Sequence, residues 1–190
     1  MSTSRIYTKL GDDGSTGLLF GGRTSKASPL IEAVGSINET VAALGVARAA
    51  ADDADLAADI LAVQRELFVA GADLAANPHG RYQLVPGISL VTPDMVARLE
   101  TRIDHLMAER PLRPVFVVPG ANPVSAALDL ARTQVRRAER RLIAYQAEAE
   151  AMVNEHVRAY LNRVSDLLYV LARHAAGDDE EPASHGTSAQ

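Results

Sequence analysis

The sequence predicts an all-α protein, a bundle of five helices that follows a glycine-rich N-terminal loop. Alanine and leucine are abundant, and aromatic residues make up only 4% of the 190 residues, a balance that favours helices over strands. Apolar residues recur at helical spacing in five long segments. Glycine and proline residues interrupt the pattern between those segments, so long helices with short connections are expected.

The chain divides into a loop, a bundle and a tail within one domain, as its length suggests. The loop is expected over residues 1–27 and the bundle over residues 28–176. The predicted helices span, in chain order, residues 29–50, 53–75, 93–108, 124–147 and 152–176. Residues 177–190 are acidic, small and polar, which predicts a disordered tail.

Two of the helices have clear start signals. Ser28 suits the N-cap of the first helix, with Pro29 in its first turn. Pro93 follows Thr92 in the same way at the start of the third helix. The second, fourth and fifth helices are placed by their apolar stripes, and segments rich in proline and glycine separate the third helix from its neighbours.

Composition restricts the possible functions. The chain has 19 Lys and Arg against 24 Asp and Glu, and its net charge of -5 argues against general nucleic-acid binding. It has no cysteine, which excludes disulfide and thiol chemistry. The first residues are too polar for a signal peptide, and no apolar run reaches the roughly 20 residues that span a bilayer. We expect a cytoplasmic protein with no membrane or nucleic-acid partner.

The N-terminal stretch YTKLGDDGSTGLLFGG, residues 7–22, has the composition of an anion-binding loop. Its five glycines allow the backbone to approach a ligand and point N–H groups at anionic oxygen. Thr8, Thr16, Lys9 and Lys26 add hydroxyl and ammonium donors. A merely mobile N-terminus has the same composition, so the loop alone does not identify a ligand.

The fourth helix carries the run ARTQVRRAERR. Arg132, Arg136 and Arg140 are four residues apart and therefore share one face. Like charges on one stripe repel each other, whereas a solvated helix face usually alternates its signs. Guanidinium groups match phosphate oxygens two at a time, so this face is either an anion site or a solvated surface.

The fifth helix, with YLNRVSDLLYVLAR, has a polar stripe beside its apolar one. The stripe is formed by Asn162, Asp166, Tyr169 and Arg173. It is either an ordinary outward face or a surface that meets the arginines of the fourth helix. In the second case Asp166 would hold an arginine in position.

The loop, the segment VPGANPVSAALDLARTQVRRAERR and the segment YLNRVSDLLYVLAR, in this order and at these distances, resemble the PduO-type ATP:cob(I)alamin adenosyltransferases. The resemblance covers residues 7–173. It implies a five-helix bundle that forms homotrimers with active sites between subunits. It also implies transfer of the adenosyl group of ATP to the cobalt of reduced cobalamin, with release of triphosphate. ATP with Mg²⁺ and cobalamin would then be substrates.

The same resemblance implies a set of nucleotide contacts. The N-terminal loop wraps over ATP and is mobile without it. The implied contacts are Thr8, Lys9, Gly11, Gly14, Thr16, Gly17, Lys26, Arg136, Arg137, Glu139, Arg140 and Asn162. Glu139 also helps to organise the Mg²⁺ ion. Because Mg²⁺ keeps several waters, no dedicated metal site is expected.

On the cobalamin side, the resemblance implies a role for Phe116, in VFVVPG. The family places an aromatic residue there in the space of the lower axial ligand of cobalt. Without the resemblance, Phe116 would be a core or loop-anchoring residue.

Asn38 replaces an aspartate that in the family pairs with the arginine matched by Arg132. The candidate catalytic residues are therefore Arg136, Arg132, Phe116 and Asp166, with Asn38 on the cobalamin side.

Two functions remain open at this stage. The first is a catalytic adenosyltransferase, which the arginine run and Phe116 favour. The second is a non-catalytic carrier or sensor that binds ATP or adenosylcobalamin for a cobalamin-dependent enzyme, and Asn38 is the residue that keeps it open. In either case, a cobalamin-dependent mutase or dehydratase is the expected recipient of the product or cargo.

Overall fold

The computed structural model describes residues 6–149 and 153–184. Within these ranges the chain forms five α-helices, one 3-10 helix and four short strands. The α-helices are α1 (Pro29–Ala50), α2 (Ala54–Ala75), α3 (Pro93–Glu109), α4 (Pro123–Ala149) and α5 (Glu155–Ala176). The strands are β1 (Ser15–Gly17), β2 (Arg23–Ser25), β3 (Val117–Val118) and β4 (Glu181–Pro182), and the 3-10 helix is Pro78–Gln83. The prediction of a mainly helical protein is confirmed.

α1, α2 and α5 begin close to the predicted positions because their first turns are capped by side chains. Ser28 Oγ accepts the N–H of Ile31 at 3.4 Å, and Asp53 and Asn154 cap α2 and α5 with their own side-chain oxygens. These bonds satisfy amides that lack a partner in the first turn of a helix. The expected first residue of the fifth helix, Met152, lies outside the described residues.

α4 lies at the centre of the bundle because it packs along both α1 and α5. α2 packs against α1, and α3 packs against α5. Large apolar side chains from several helices are fully buried between them, among them Ile37, Leu44, Leu67, Leu128 and Leu168. Each such side chain contributes about 1.5–3 kcal/mol when it leaves water. Since one face of α4 fills this core, the arginines of α4 lie on its other faces.

α1 is the one helix among the described residues that is long and apolar enough, by length and composition alone, to cross a membrane. From the sequence, no apolar run is expected to reach the length that spans a bilayer. The core helix of a globular bundle passes the same test, and Ala33, Ile37 and Leu44 of α1 are buried in the bundle. We therefore interpret α1 as a core helix.

β1 and β2 form an antiparallel hairpin that is attached to the end of α2. The N–H of Leu19 donates to the carbonyl of Ala75, and the carbonyl of Leu19 accepts from the N–H of Asn77, each at 2.9 Å. Asn77 Nδ2 also donates to the carbonyl of Gly21 at 2.8 Å. Gly21 and Gly22 have φ angles of 89° and 82°, a region that favours glycine. The second half of the predicted loop is therefore a fixed hairpin.

A buried carboxylate, Asp73, joins four segments at the same end of the bundle. Its oxygens accept from Arg81 Nη2 of the 3-10 helix at 2.5 Å and from the N–H of Val91 at 2.9 Å. They also accept from Asn154 Nδ2, at the start of α5, at 2.8 Å. A buried charge must be paired, so this cluster fixes the end of α2 relative to α5.

The segment after α5 is structured as far as residue 184, in contrast to the predicted disordered tail. Gly177, with a φ of 66°, turns the chain after α5. β4 then pairs antiparallel with β3, and Glu180 is buried. The tail composition suggests a solvated segment, but one of its acids pairs with a buried arginine. Residues 185–190 lie outside the described part of the chain.

Candidate functional site

α4 carries two exposed arginines that have no partner among the residues that the structure describes. Arg136 and Arg140 are one turn apart, and neither forms a hydrogen bond or ion pair with any other described residue. Two other arginines of the same helix are engaged, since Arg137 pairs with Glu39 of α1 and Arg141 pairs with Glu32. Arg136 and Arg140 are therefore available to an anionic ligand, in a chain whose net charge is -5.

The position of Arg137 differs from the sequence expectation that it contacts the nucleotide beside Arg136. Its guanidinium lies against α1, where it reaches Glu39, and it also donates to Gln134 Oε1 at 3.1 Å. Consecutive residues of an α-helix point in directions about 100° apart, because one turn takes 3.6 residues. Arg137 therefore stands apart from the exposed pair formed by Arg136 and Arg140.

Glu139 and Asn162 join α4 to α5 beside this pair. Asn162 Nδ2 donates to Glu139 Oε1 at 3.2 Å, and Asn162 Oδ1 accepts from Arg163 Nη1 at 2.7 Å. Glu139 and Asn162 both line an open cavity of about 480 Å³, together with His156 and Arg158. Two residues that the sequence assigns to nucleotide binding therefore meet in the folded chain.

Farther along α4 and α5, two arginines stack on one tyrosine. The guanidinium carbons of Arg132 and Arg173 lie 5.0 Å and 5.3 Å from the centroid of the Tyr169 ring. These distances are within the range of cation–π attraction. Arg132 and Asn38, which match a pair of residues in the family, form no hydrogen bond with each other in the described chain, where Asn38 is exposed on α1. Tyr169 is the residue that Arg132 faces instead.

The fifth helix also differs from the expectation for its polar stripe. Asp166 is exposed and forms no ion pair in the described part of the chain, so it holds no arginine there. Arg173 is only 5% exposed. Its Nη2 pairs with Asp129 of α4, and its Nε lies 3.0 Å from Glu180 Oε1, as an ion pair without hydrogen-bond alignment. The acids that hold Arg173 are therefore Asp129 and Glu180.

Phe116 lies in the loop between α3 and α4, directly before β3. Its side chain is 88% exposed, so it is not a core residue. The carbonyl of Phe116 accepts from the N–H of Ala183 at 2.7 Å. A cavity of about 650 Å³ is lined by Phe116, Tyr169, Arg113 and Ala183. An exposed aromatic ring beside a cavity of this size is available to an apolar ligand.

The two ends of the arginine stripe of α4 lie in different surroundings. At a rise of 1.5 Å per residue, Arg132 and Arg140 are about 12 Å apart along the helix axis. Arg132 faces Tyr169, which lines the Phe116 cavity, whereas Arg140 follows directly after Glu139. The site is therefore aromatic at one end and cationic at the other.

The N-terminal loop is closed on itself in this structure. Lys26 Nζ donates to the carbonyl of Gly11 at 2.7 Å, and the N–H of Lys26 donates to the carbonyl of Gly14 at 2.8 Å. Lys9 has a φ of 61°, an uncommon conformation for a residue that is not glycine. Residues 8–26 form no hydrogen bond or ion pair with α4 inside the described chain. Lys26, expected at the phosphates, is therefore bound to its own loop.

The other loop residues have local roles in this state. Thr8 Oγ1 accepts from the N–H of Leu10 at 3.4 Å, and Thr16 and Gly17 belong to β1. Asp13 Oδ1 accepts from the hydroxyl of Ser15 at 2.7 Å and from its N–H at 2.9 Å. These hydrogen bonds lower the pKa of the Asp13 carboxyl. The loop thus has an internal bonding pattern of its own.

A larger cavity, of about 810 Å³, is elsewhere in the bundle. It lies where α1 ends and α2 begins, and Asp52, Asp59, His105 and His174 are among the residues that line it. It contains none of the residues that the sequence assigns to a site. Cavity volume alone therefore does not identify the candidate site.

Asp129 and Glu180 were not among the sequence candidates. Asp129 is three residues before Arg132 and seven before Arg136, so helical spacing places it on the arginine face. An acid at one end of a basic stripe was the signal that could have found it. Glu180 gave no such signal, because its segment reads as a solvated acidic tail.

Comparison with known proteins gives a consistent set of similarities. The model of the family described as Cobalamin adenosyltransferase matches residues 6–175. The corrinoid adenosyltransferase of Bacillus subtilis (strain 168) is 41% identical over 174 residues, which cover 89% of this chain and 85% of that protein. The corrinoid adenosyltransferase of Mycobacterium tuberculosis (strain CDC 1551 / Oshkosh) is 39% identical over 178 residues, 93% of this chain and 91% of that protein.

Two solved structures from Lactobacillus reuteri have the same fold. One is a variant PduO-type ATP:corrinoid adenosyltransferase complexed with cobalamin and ATP. It has a TM-score of 0.80 and 29% identity, and the match covers 90% of this chain and 93% of that one. The other, a different variant complexed with ATP, has a TM-score of 0.79 and 29% identity, with coverage of 90% and 94%.

Proposed function

The chain belongs to the cobalamin adenosyltransferase family, and from this membership we propose that it transfers the 5′-deoxyadenosyl group of ATP to the cobalt of cob(I)alamin. The products are adenosylcobalamin and triphosphate. The observation that supports this most directly is the arrangement along α4. Unpaired Arg136 and Arg140 suit a triphosphate, and the exposed Phe116 beside its cavity suits an apolar macrocycle.

At the ATP end, we assign the phosphates to Arg136 and Arg140. Guanidinium groups donate two parallel hydrogen bonds to phosphate oxygens, and nothing in the described chain competes for these two. Asn162 and Glu139 lie next to them and are assigned to the nucleotide as well. The loop donors, among them Lys9 and Lys26, would exchange their present partners for the bound nucleotide.

The reaction itself requires little acid–base chemistry from the protein. Cob(I)alamin attacks the 5′ carbon with its own electron pair, so a cobalt–carbon bond forms while the C5′–O bond breaks. The triphosphate leaves with the bonding electrons. Because the nucleophile is already strong, no base is needed to activate it. The chain supplies orientation and positive charge where the leaving oxygen becomes negative, and Arg136 is the proposed contact.

At the cobalamin end, we assign Phe116 to the space of the lower axial ligand of cobalt. Removal of that ligand makes cob(II)alamin easier to reduce to the nucleophilic cob(I) state. The exposure of Phe116 and the cavity beside it support this assignment. Arg132, held over Tyr169, would contact the cobalamin from the same side.

Mg²⁺ would enter with ATP. Glu139 offers one carboxylate, which already accepts a hydrogen bond from Asn162. In the described ranges, 6–149 and 153–184, no group of three or more His, Asp or Glu side chains could hold a metal ion. A single carboxylate fits Mg²⁺, which usually keeps several waters and takes its other ligands from phosphates.

The proposal includes a homotrimer with shared active sites. Within one chain, residues 8–26 do not bond to α4, so a site that contains both the loop and the arginines is completed by a second copy. Val46 of α1 and Leu130 of α4 are 63% and 54% exposed, and such apolar side chains suit an interface. A contact between Asn38 and Arg132 would also need a second copy.

We also infer a cytoplasmic location, where ATP is available, and a cobalamin-dependent mutase or dehydratase as the recipient of the product. As domain organisation we propose a nucleotide-closing segment before residue 28 and a bundle that follows it. The C-terminal boundary of this domain lies beyond residue 176, because β4 pairs with β3.

The test is direct. The protein is mixed anaerobically with ATP and cob(I)alamin, and the visible spectrum is followed for the appearance of adenosylcobalamin. Conversion that requires both protein and ATP is expected. If the protein binds ATP and adenosylcobalamin but converts nothing, the proposed activity is wrong and a carrier or sensor role replaces it.

A further inference from the structure

We propose that Glu180 is a positioning residue for the cobalamin side of the active site, and that the segment 177–184 brings it there. This inference rests on the proposed function, since it concerns the loop that bears Phe116. Glu180 lies outside every segment that suggested the function from sequence. Glu180 contacts Arg173 of α5 and Arg113 of the loop before β3, and its neighbours in segment 177–184 contact Arg110 and the Phe116 loop.

The first contact is the ion pair with Arg173. Arg173 is buried between Asp129 of α4 and Glu180, which are themselves buried. Charges in such a place are stable only when they are paired, so each acid restricts where the guanidinium can lie. Arg113, from the loop before β3, donates to the carbonyl of Glu180 at 3.2 Å. Glu180 therefore connects α5, through Arg173, to the loop before β3.

Arg173 is connected to the Phe116 cavity through Tyr169. Arg173 lies over the ring of Tyr169 at 5.3 Å, and Arg132 lies over the same ring at 5.0 Å. Tyr169 lines the cavity that Phe116 also lines. A change in the position of Arg173 would thus change the support of Tyr169, and with it the position of Arg132.

The third contact is made by the backbone. The N–H of Ala183 donates to the carbonyl of Phe116 at 2.7 Å, and β4 pairs with β3 directly after Phe116. In the part of the chain that the structure describes, β4 is the only strand that pairs with β3. Asp178 adds an ion pair with Arg110, at the end of α3, at 2.7 Å. The segment therefore holds the Phe116 loop by backbone bonds as well.

These contacts all converge on the aromatic end of the site. None of them involves Arg136, Arg140 or the N-terminal loop. A loss of Glu180 should therefore affect cobalamin and leave ATP binding unchanged. A purely structural role would instead weaken both, or lower only the melting temperature.

The test compares Glu180→Gln with Asp179→Asn in the full chain. Both changes remove one negative charge, but Asp179 is exposed and forms no ion pair within the described ranges. Glu180→Gln is expected to raise KM for cobalamin about tenfold, as loss of a charged contact does, with KM for ATP unchanged. The visible spectrum of cob(II)alamin bound with ATP should shift toward the form that keeps its lower ligand. Asp179→Asn should match the wild type.

A second variant and a second measurement make the outcome decisive. Ala183→Pro removes the N–H that bonds to Phe116 and also fixes the φ of residue 183, while it leaves the Glu180 carboxylate in place. It should give the same cobalamin defect if Glu180→Gln does not fold. Hydrogen exchange over residues 114–118 should be faster in both variants. Unchanged cobalamin KM, spectrum and exchange would overturn the inference. If the wild type forms no adenosylcobalamin, the proposed function fails, and exchange over residues 114–118 alone decides whether Glu180 holds this loop.

Discussion

Arg136 differs from most arginines of α4 in having no partner within the described chain. Arg136→Ala is expected to lower kcat/KM for ATP about tenfold to a hundredfold, because a hydrogen bond to a charged group contributes about 1.5–3 kcal/mol. The measurement is steady-state kinetics with saturating cob(I)alamin.

Arg141→Ala is the matched control for this change. Arg141 lies on the same helix and is exposed, but it already pairs with Glu32 at 3.3 Å. Its removal should leave the ATP kinetics unaltered. If Arg136→Ala also has wild-type kinetics, Arg136 lies on a solvated face and binds no phosphate.

At the residue scale, the sequence was most informative where one helix contains the whole pattern. Helical spacing predicted that Arg132, Arg136 and Arg140 share one face and left open whether α5 lies beside it. In the structure, Asn162 of α5 meets Glu139 of α4. The burial of Arg173 could not be predicted in this way. Its partner Glu180 is brought to it by the fold and not by any periodic pattern along α5.

At the scale of elements, the N-terminal segment consists of two parts that should respond differently to ligand. β1 and β2 already pair with each other and are attached to α2, so residues 15–25 should be protected from hydrogen exchange without nucleotide. Residues 8–14 contain the strained Lys9 and should gain protection only with MgATP. The measurement is exchange with and without MgATP, with MgCl₂ alone as control. If residues 8–14 exchange equally under all conditions, this segment does not close over the nucleotide.

The Asp73 cluster should determine the stability of the bundle end that bears the hairpin. Asp73→Ala leaves Arg81 Nη2 and the amide of Val91 without the carboxylate that accepts from them, and we expect a loss of about 3–5 kcal/mol in the free energy of unfolding. Urea denaturation measures this. Asp104→Ala, on the exposed side of α3, should change stability by less than about 0.5 kcal/mol. Similar values for the two variants would show that the cluster contributes little.

The helices were predictable as elements because capping residues and apolar stripes are local signals. The strands were not, since each is only two or three residues long and depends on a partner strand for its formation. β3 and β4 show this most clearly, because they are far apart in sequence and neither has an alternating pattern. For the same reason the sequence suggested a disordered tail where the chain adds a strand.

At the scale of the whole molecule, we expect a homotrimer. Three chains of 20.2 kDa give a mass of about 61 kDa, which light scattering can distinguish from a monomer. Leu130→Glu should shift the protein toward the monomer, because it places a charge on an exposed apolar position of α4. A wild-type monomer that retains full activity at working concentration would contradict the shared site.

Asn38→Asp is a second test of the proposed trimer. Asn38 does not reach Arg132 within one chain, so a new charge pair between them would form only between subunits. The variant should lower KM for cobalamin or raise the rate with cob(II)alamin under reductant, with no change in ATP affinity. If Asn38→Asp is inert while Arg132→Ala abolishes activity, the essential partner of Arg132 is Tyr169.

The pairing of β3 with β4 also has a consequence for biosynthesis. Residue 182 emerges about 65 residues after residue 117, which takes roughly 3–13 s at a ribosomal rate of 5–20 residues per second. Until then, α1 to α4 can associate, but the loop with Phe116 has no strand to pair with. A nascent chain would therefore form the proposed nucleotide-binding face of α4 before the proposed cobalamin-binding loop is held, and a chain that ends near residue 177 would keep Arg136 and Arg140 but lack the strand that holds Phe116.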